Sequence, residues 1–205
     1  FVVSRGSALA QVGDAEEAAR GWRDVVKSYG GWTPPRLTRD LRLALATCHN
    51  NLGKVAFGAG DTKTAIEHLE RCVALERENG TESRPLLEQL DSVRTQINLG
   101  AAWRMAGDAT EAKARYESAR LCLKELIASA PDEPELRREE ARVATALASL
   151  AVDQKDFEAS AALRDASLVA MKQLVADFPA RVQYRQELGQ MLLDLSNDRL
   201  LAKDL

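Results

Sequence analysis

The sequence predicts an all-α fold of the solenoid type, in which antiparallel helical hairpins stack side by side. Two observations predict it. The composition is rich in the helix-forming residues Ala, Leu, Glu and Arg, while aromatic residues make up only 5% of the 205 residues. A turn that ends in Asp also recurs along the chain, at Asp14, Asp61, Asp108, Asp156 and Asp204, in steps of 47 or 48 residues. Repetition at this period indicates an array of helical repeats.

Two segments show how each hairpin is built. The string NNLGKVAFGAGD at 50–61 and the string INLGAAWRMAGD at 97–108 share six of twelve positions. The Gly before each Asp can adopt the left-handed conformation that ends a helix, and the Asp can cap the next helix. Small residues such as Gly53 and Ala65 are expected to face each other, so that the two helices of a hairpin approach closely. Larger apolar residues at helical spacing supply the core.

Helix-breaking strings between the hairpins divide the chain into repeats at approximately 1–32, 33–80, 81–130, 131–178 and a partial 179–205. Proline-containing strings separate the hairpins, and Asp132 with Glu135 has the spacing of a capping box. About nine helices are predicted, near 2–12, 14–29, 36–59, 62–78, 84–106, 109–129, 133–154, 157–177 and 180–202. The whole of 1–205 is expected to be one array and a fragment of a longer chain, because both ends fall inside a repeat.

Charge and hydropathy indicate the class of protein. A net charge of −3 disfavours general nucleic-acid binding, which depends on surplus Lys and Arg. No apolar run approaches the roughly 20 residues that cross a bilayer, so membrane insertion is not expected. The first ten residues do not resemble a signal peptide. Cys48, Cys72 and Cys122 are odd in number and widely spaced, which favours reduced, buried thiols in a cytoplasmic protein.

No motif in the sequence indicates catalysis, so the chain is predicted not to be an enzyme and to bind no cofactor. GAGDTK at 58–63 superficially resembles a phosphate-binding loop, but a helix precedes it where such a loop needs a strand. His49 and His68 can meet within one hairpin; packing is favoured over a metal site, for which Cys48 and Cys72 are the nearby candidate ligands. The carboxylates of Glu16, Glu17, Glu139 and Glu140 are expected on solvent-facing surfaces.

The residues of the repeat resemble the tetratricopeptide repeat, a helix–turn–helix unit. The resemblance is carried by Leu52-Gly53, Gly60-Asp61 and Ala65, and again by Leu99-Gly100, Gly107-Asp108 and Ala112, followed by Tyr116 and Ala119. The unit near 147–167 departs from this pattern, with Ala148 in place of Gly, Lys155 in place of the turn Gly and Ser160 in place of Ala. The resemblance implies a right-handed superhelix. Ordinary repeats of this family have about 34 residues, so each repeat here is longer.

A second resemblance concerns the repeat length. The strings LATCHNNLG at 45–53, LVADFP at 174–179 and YRQEL at 184–188 are similar to long repeats that follow the kinase domain in some bacterial serine/threonine kinases. This implies a regulatory tail that docks a partner. The alternative is a sensor arm that packs on the catalytic domain of another multidomain enzyme, such as an ATPase or a protease. No kinase catalytic motif occurs in the chain itself.

The family resemblance also implies a concave groove lined by the first helix of each hairpin, in which a peptide or protein partner would bind. The positions carried over are Asn50, Asn51, Lys54, Phe57, Arg94, Asn98, Ala101, Arg104, Arg142, Thr145 and Ser149. Some relatives hold a peptide carboxylate at such positions through Lys, Asn and Arg. Asn98 and Arg142 fit that clamp, whereas Asn50 and Lys54 are exchanged and Ala146 replaces a cation. A solvated polar face is the simpler alternative.

Two further expectations concern exposed apolar surface. Trp32 lies in the loop-like segment YGGWTPP and is expected to fill the joint between hairpins, because burying so large a ring stabilises a fold by about 2–3 kcal/mol. An exposed Trp32 would instead indicate a contact site. Terminal repeats normally carry a polar capping face. Neither end of this chain supplies one, which predicts that the terminal helices either meet another copy of the chain or join further domains.

Overall fold

The computed structural model describes residues 15–33, 36–78 and 85–201, and it shows eight α-helices and no strand within them. The helices are α1 (Ala15–Tyr29), α2 (Arg39–Gly58), α3 (Thr62–Glu78), α4 (Leu86–Met105), α5 (Ala109–Ser129), α6 (Pro134–Asp153), α7 (Phe157–Asp177) and α8 (Val182–Leu201). Each lies within three residues of a predicted helix, and the all-α class is confirmed. The helix predicted at 2–12 lies outside the described residues.

The chain forms two compact units, Phe1–Arg115 and Tyr116–Leu205, and the boundary between them falls within α5. In the first unit, α2 packs on α3 as an antiparallel hairpin, with α1 against α2 and α4 against α3. In the second unit, α6 and α7 form the corresponding hairpin, and α8 packs against α7. The single array over 1–205 stays a prediction.

The hairpin turns end their first helices in the way that the Gly-Asp pairs predict. Gly60 has φ of 79° and Gly107 has φ of 84°, both in the left-handed region. At the first turn, the Asp61 amide donates to the carbonyl of Ala56 at 2.9 Å and the Gly60 amide donates to the carbonyl of Phe57 at 3.0 Å. This pair of bonds is a Schellman motif, which satisfies the last carbonyls of the helix.

The third turn keeps the same backbone geometry without glycine. Lys155 adopts φ of 62°, the only positive φ of a non-glycine residue in the described part of the chain. The Asp156 amide donates to the carbonyl of Ala151 at 2.9 Å, as the equivalent bond does at the glycine turns. A side chain in this region costs about 1–2 kcal/mol, because Cβ crowds the carbonyl oxygen. The repeat that has Lys155 in place of glycine therefore keeps the turn, at a cost in local backbone strain.

The Asp residues of the turns cap the second helices, as predicted. A carboxylate oxygen of Asp61 accepts from the Thr64 amide at 3.1 Å, and hydrogen bonds from the Thr64 side chain and from this amide lower the pKa of Asp61. Asp108 accepts from the Glu111 amide at 3.0 Å and Asp156 from the Ala159 amide at 3.0 Å. These bonds satisfy amides that have no partner inside the helix.

The capping box predicted for α6 is wrong. The residue that caps this helix is Glu133, whose carboxylate accepts from the Glu135 amide at 3.4 Å, and Pro134 occupies the first helical position. Proline is favoured there because its missing N–H would have no intrahelical partner. The helix therefore begins one residue later than a cap at Asp132 would require.

Close approach of helices in the α2–α3 hairpin depends on small residues. A Cβ added at Gly53 would lie 2.7 Å from Cγ of Leu69 and 3.3 Å from the carbonyl oxygen of Ala65. Ala65 is fully buried, and so are Ala18 and Ala112 at equivalent positions of other repeats. The predicted facing of Gly53 and Ala65 is confirmed, because no larger side chain fits between these two backbones.

Each unit has its own buried apolar residues. In the first unit, the α1–α2–α3 core is built around Trp22, Leu45, Cys48, Leu52 and Leu75. In the second unit, Ala141, Met171, Leu174 and Tyr184 form a core shared by α6, α7 and α8, and the Phe178 ring meets Tyr184 edge-to-face at 6.2 Å. Among the described residues, no helix combines the length and apolarity needed to cross a membrane.

Candidate partner-binding groove

The predicted groove residues of the first unit meet where the first helices of two neighbouring hairpins lie side by side. Asn98 on α4 donates through Nδ2 to Oδ1 of Asn50 on α2 at 3.3 Å. The two residues are 48 positions apart, one repeat length, and both are half-buried. The bond leaves the Asn50 amino group and the Asn98 carbonyl able to bond another molecule, since a side-chain amide has several donor and acceptor sites.

Two larger side chains extend this polar pair along α2. Lys54 and Phe57 are exposed, one and two helical turns after Asn50, and Asn51 beside it is half-buried. Phe57 retains 36% of its surface in contact with solvent. An ammonium group and an aromatic ring thus lie on the same helix as the asparagine pair. This combination suits a peptide with a carboxylate and an apolar side chain.

The two predicted arginines on α4 are half-buried, and both have interacting partners. Arg94 donates through an Nη atom to Asp91 at 3.2 Å, one turn earlier on the same helix. Arg104 lies near the end of α4 and also has an interacting partner. Surface pairs of this i,i+3 type are weak, and Arg94 makes a further interaction besides.

The remaining predicted residues lie on α6 in the second unit, and their polar atoms bond neighbouring groups of the same unit. Arg142 donates to Glu139 at 2.6 Å. The Thr145 hydroxyl donates to the Ala141 carbonyl at 2.9 Å, and the Ser149 hydroxyl to the Thr145 carbonyl at 3.1 Å. Hydroxyls that bond back to their own helix offer less to a ligand. The candidate groove is therefore limited to α2 and α4.

Glu139 corrects one prediction about carboxylates. It was expected to face solvent, but it is fully buried on α6, with Arg142 as an ion-pair partner. Burying a carboxylate without a partner would be costly, so the guanidinium three residues later is what allows Glu139 to lie in the core. Glu140, the next residue, is exposed as predicted. For Arg142, this pairing weakens the predicted role in a carboxylate clamp.

The two histidines meet within the α2–α3 hairpin. Nδ1 of His49 lies 3.0 Å from Nδ1 of His68, so one neutral ring donates to the other. Burial, together with the neighbouring His68 and Arg71, lowers the pKa of His49 to about 4, and burial also lowers the pKa of His68. No group of three or more potential metal ligands occurs among the described residues. The pair packs the hairpin seam, the interpretation that the sequence favoured.

The cysteines are free thiols, and two of them are buried. Burial raises the pKa of the Cys48 thiol to about 11, and burial with the nearby Glu76 carboxylate raises the pKa of Cys72 further. Thiols held protonated in this way are poor nucleophiles and poor metal ligands, because both roles need the thiolate. Cys122 is half-buried.

Trp32 is not the buried plug that the sequence favoured. Its side chain is 40% exposed after the end of α1, where its ring meets Tyr29 edge-to-face with centroids 5.0 Å apart. Tyr29 is also exposed. Trp32 is therefore exposed, and the contact site that such exposure would indicate stays a prediction.

Sequence reasoning missed a network of charged residues that joins α6 to α8. Nε of Arg138 donates to both carboxylate oxygens of Glu187, at 3.0 and 2.8 Å, and Nη1 donates to Glu135 at 2.9 Å. The Tyr184 hydroxyl donates to the same Glu135 at 2.8 Å. The bonds to Glu187 raise the pKa of Arg138, and burial raises the pKa of Tyr184 to about 12.

The sequence signal for this network was the spacing between partner residues, which is close to one repeat. Arg138 and Glu187 are 49 residues apart, as are Glu135 and Tyr184, and as are Arg39 and Glu88 of the first unit, which pair at 2.6 Å. Opposite charges at this spacing on first helices fall next to each other when hairpins stack. A search for complementary residues 49 positions apart, one or two more than the repeat length, would have found all three pairs.

Comparison with known proteins identifies one of the hairpins. Residues 46–79, which cover most of α2 and all of α3, match the family model described as the tetratricopeptide repeat. This match supports a tetratricopeptide-repeat protein. It agrees with the Gly-Asp turn, the buried Ala65 and the Gly53 contact seen in the same hairpin. No curated protein matches the chain in sequence.

Solved structures are similar to the chain at low identity. One is a chain of the APC/C hetero-tetramer Cut9–Hcn1, with 18% identity and a TM-score of 0.40. The similarity covers 93% of this chain, which spans only 35% of that one. Another is a thermophilic tetratricopeptide-repeat protein of Thermus thermophilus, with 16% identity, a TM-score of 0.34, and coverage of 94% of this chain and 97% of that one.

Proposed function

We propose that the chain is a non-catalytic interaction scaffold that binds a peptide or protein partner in the groove formed by α2 and α4. The observation that carries this proposal is the bond between Asn98 and Asn50 at 3.3 Å, which joins equivalent faces of two consecutive repeats. A stretch of polar groups that continues from one repeat to the next can follow an extended ligand. The protein-interaction role of tetratricopeptide repeats supports the same function.

The side chains around this pair define the ligand. Side-chain amides can bond the backbone of an extended peptide whatever its sequence, because every peptide unit carries a donor and an acceptor. The exposed Lys54 selects a carboxylate close to that backbone, and the exposed Phe57 selects an apolar side chain one turn further. The favoured ligand is an extended acidic segment with one apolar anchor.

Capture of peptides from an array tests the groove. Lys54→Ala and Arg94→Ala are expected to reduce capture of acidic peptides, and Asn98→Ala is expected to reduce capture of all of them. Lys63→Ala is the matched control, since Lys63 is exposed on α3, which does not line the groove. Unchanged capture by the three groove variants would show that the partner binds elsewhere.

For the complete protein, we propose that this segment is the regulatory tail of a bacterial serine/threonine kinase and lies in the cytoplasm. The support is the resemblance of three strings to the long repeats found in such tails. The coding sequence upstream of residue 1 tests it directly. A kinase motif set there is the expected result, whereas an ATPase or protease domain would replace the proposal with a sensor arm of that enzyme.

Self-association through terminal helices is a further proposal of the same kind. In the described part of α8, Val182, Leu192 and Leu193 are exposed. An apolar helix face of this type is stabilised when a second molecule covers it. Sedimentation at increasing protein concentration should show a dimer that Leu193→Glu weakens. A monomer at every concentration would remove this proposal and leave the groove untouched.

A further inference from the structure

The second unit contains a cavity of 560 Å³ between α5, α6 and α7. Its walls are mostly apolar and include Leu121, Leu123, Ile127, Val143, Leu147 and Leu163. This volume lies within the roughly 300–1,000 Å³ typical of binding pockets. The cavity shares no residue with the α2–α4 groove.

Two small residues line the cavity at positions that hold larger residues a repeat earlier. Ala144 on α6 is 48 residues after Gln96, and Ala170 on α7 is 48 residues after Cys122. Folded interiors are close-packed, so the loss of these side chains without compensation leaves a hollow. The sequence of this repeat has therefore departed from its neighbour in the direction that opens space.

The mouth of the cavity is open and apolar. Leu121 on α5 is 61% exposed, Ala166 on α7 is exposed, and Leu163 on α7 is half-buried. An enclosed small-molecule site would cover such side chains. Exposed apolar residues around a hollow indicate that a macromolecular surface covers them.

The charges at the mouth indicate the chemistry of that surface. Arg120 and Lys124 lie one turn apart on α5, so that edge of the cavity carries two cations. Arg120 bonds Glu117 at 2.7 Å in a pair exposed to solvent, which a stronger acceptor can replace. Glu140 on α6 is the one carboxylate of the lining. The α5 edge thus favours an anionic flank on the occupant.

We propose that this cavity docks an amphipathic helix of a partner protein, with acidic residues on the flank that faces Arg120 and Lys124. Apolar side chains three and four residues apart on the partner enter the space left by Ala144 and Ala170. This is the helix-in-groove mode of recognition, in which spacing and flank charge set specificity. The site is separate from the extended-peptide groove of the proposed function, and either can exist without the other.

A designed peptide helix tests the proposal on the full chain. The probe is a fluorescein-labelled 18-residue peptide with Leu on one helical face and Glu on one flank, measured by fluorescence anisotropy. Saturable binding that weakens with added salt is expected. A peptide with Lys in place of the flanking Glu should bind at least about fivefold more weakly, as should a peptide in which a central proline breaks the helix. Equal binding of the three peptides, or no binding of the first, would overturn the proposal.

Protein variants locate the site. Lys124→Glu should weaken binding of the acidic peptide by about fivefold, whereas Lys63→Glu on α3 of the first unit makes the same charge change and should leave binding unchanged. Ala144→Leu with Ala170→Leu fills the cavity and should abolish binding without lowering the melting temperature. Circular dichroism shows that each variant is folded. Undiminished binding by the filled variant would show that the peptide binds elsewhere, which would also overturn the proposal.

Discussion

Nδ1 of His49 lies 3.0 Å from Nδ1 of His68, so the only two histidines of the chain connect α2 to α3. His49 is 8% exposed. Its contact with His68 requires at least one unprotonated nitrogen, because two protonated rings would place like charges against each other. The pair thus links the stability of this hairpin to pH.

The first prediction is a loss of stability in mildly acidic solution. The pKa of His49 falls from 6.5 to about 4 on folding, so the unfolded chain binds more protons between these values. The contribution of the unprotonated His49 ring to the free energy of unfolding is fully present above pH 6.5. It is lost as the pH falls toward 4, by about 3 kcal/mol in total. Urea unfolding at several pH values measures this free energy of unfolding.

Carboxylates titrate in the lower part of this range, so a control variant is needed. His49→Gln removes the titrating ring, and its free energy of unfolding should depend less steeply on pH between 6.5 and 4. A variant with the same pH dependence as the natural chain would show that the histidine pair does not cause the loss.

The second prediction concerns the close approach of helices in the α2–α3 hairpin. Gly53→Ala places Cβ 2.7 Å from Leu69 Cγ, and Ala65→Leu adds three carbons at a fully buried position. Each should lower the free energy of unfolding by about 1–3 kcal/mol. Chemical denaturation measures the change.

Two controls accompany these variants. Gly58 lies in the same helix with open space around its Cβ direction, and Lys63 is exposed on α3. Gly58→Ala and Lys63→Leu are expected to be neutral or slightly stabilising. Equal losses at tight and open positions would show that the helices do not pack in this register.

The third prediction uses the turn that lacks glycine. Lys155→Gly should raise the free energy of unfolding by about 0.5–1 kcal/mol, since it relieves the positive φ of 62° but adds freedom to the unfolded chain. Gly107→Ala should have the opposite effect at the equivalent turn, where φ is 84°. Opposite signs in thermal unfolding confirm the prediction, and two losses would contradict it.

The fourth prediction concerns the ion pairs between α6 and α8. The Arg138 side chain is 12% exposed and bonds both Glu187 and Glu135, so Arg138→Met leaves two carboxylates without this donor. A loss of about 1–3 kcal/mol is expected. Arg120→Met, which removes a solvent-exposed pair with Glu117, should cost less than about 1 kcal/mol. Similar losses for the two variants would show that the network contributes no more than a surface pair.

Helix positions and turn geometry could be predicted because their signals are local. Gly60 and Asp61 lie next to the helices that they end and begin, and caps act through bonds spanning two to five residues. The groove could be predicted only in part. Asn50 and Asn98 came together, whereas Arg142 was found paired with a carboxylate that the sequence placed in solvent.

Burial of single side chains could not be predicted, because it depends on what packs over them. Trp32 is of a residue type that is usually buried, yet it is exposed. Glu139 is of a type that is usually exposed, yet it is buried. The two cases differ in their neighbours. Trp32 has Tyr29 beside it at the end of α1, and Glu139 has Arg142 on the same helix.

The sequence by itself determined the helices, their order and the turns that pair them, because propensity, glycine and capping residues act within a few residues. Only the tertiary structure decided which side chains meet across repeats, such as Arg138 with Glu187 and Asn50 with Asn98. It also decided that Ala144 and Ala170 border a cavity. Contacts between residues nearly fifty positions apart depend on how the hairpins stack, and no local preference specifies that.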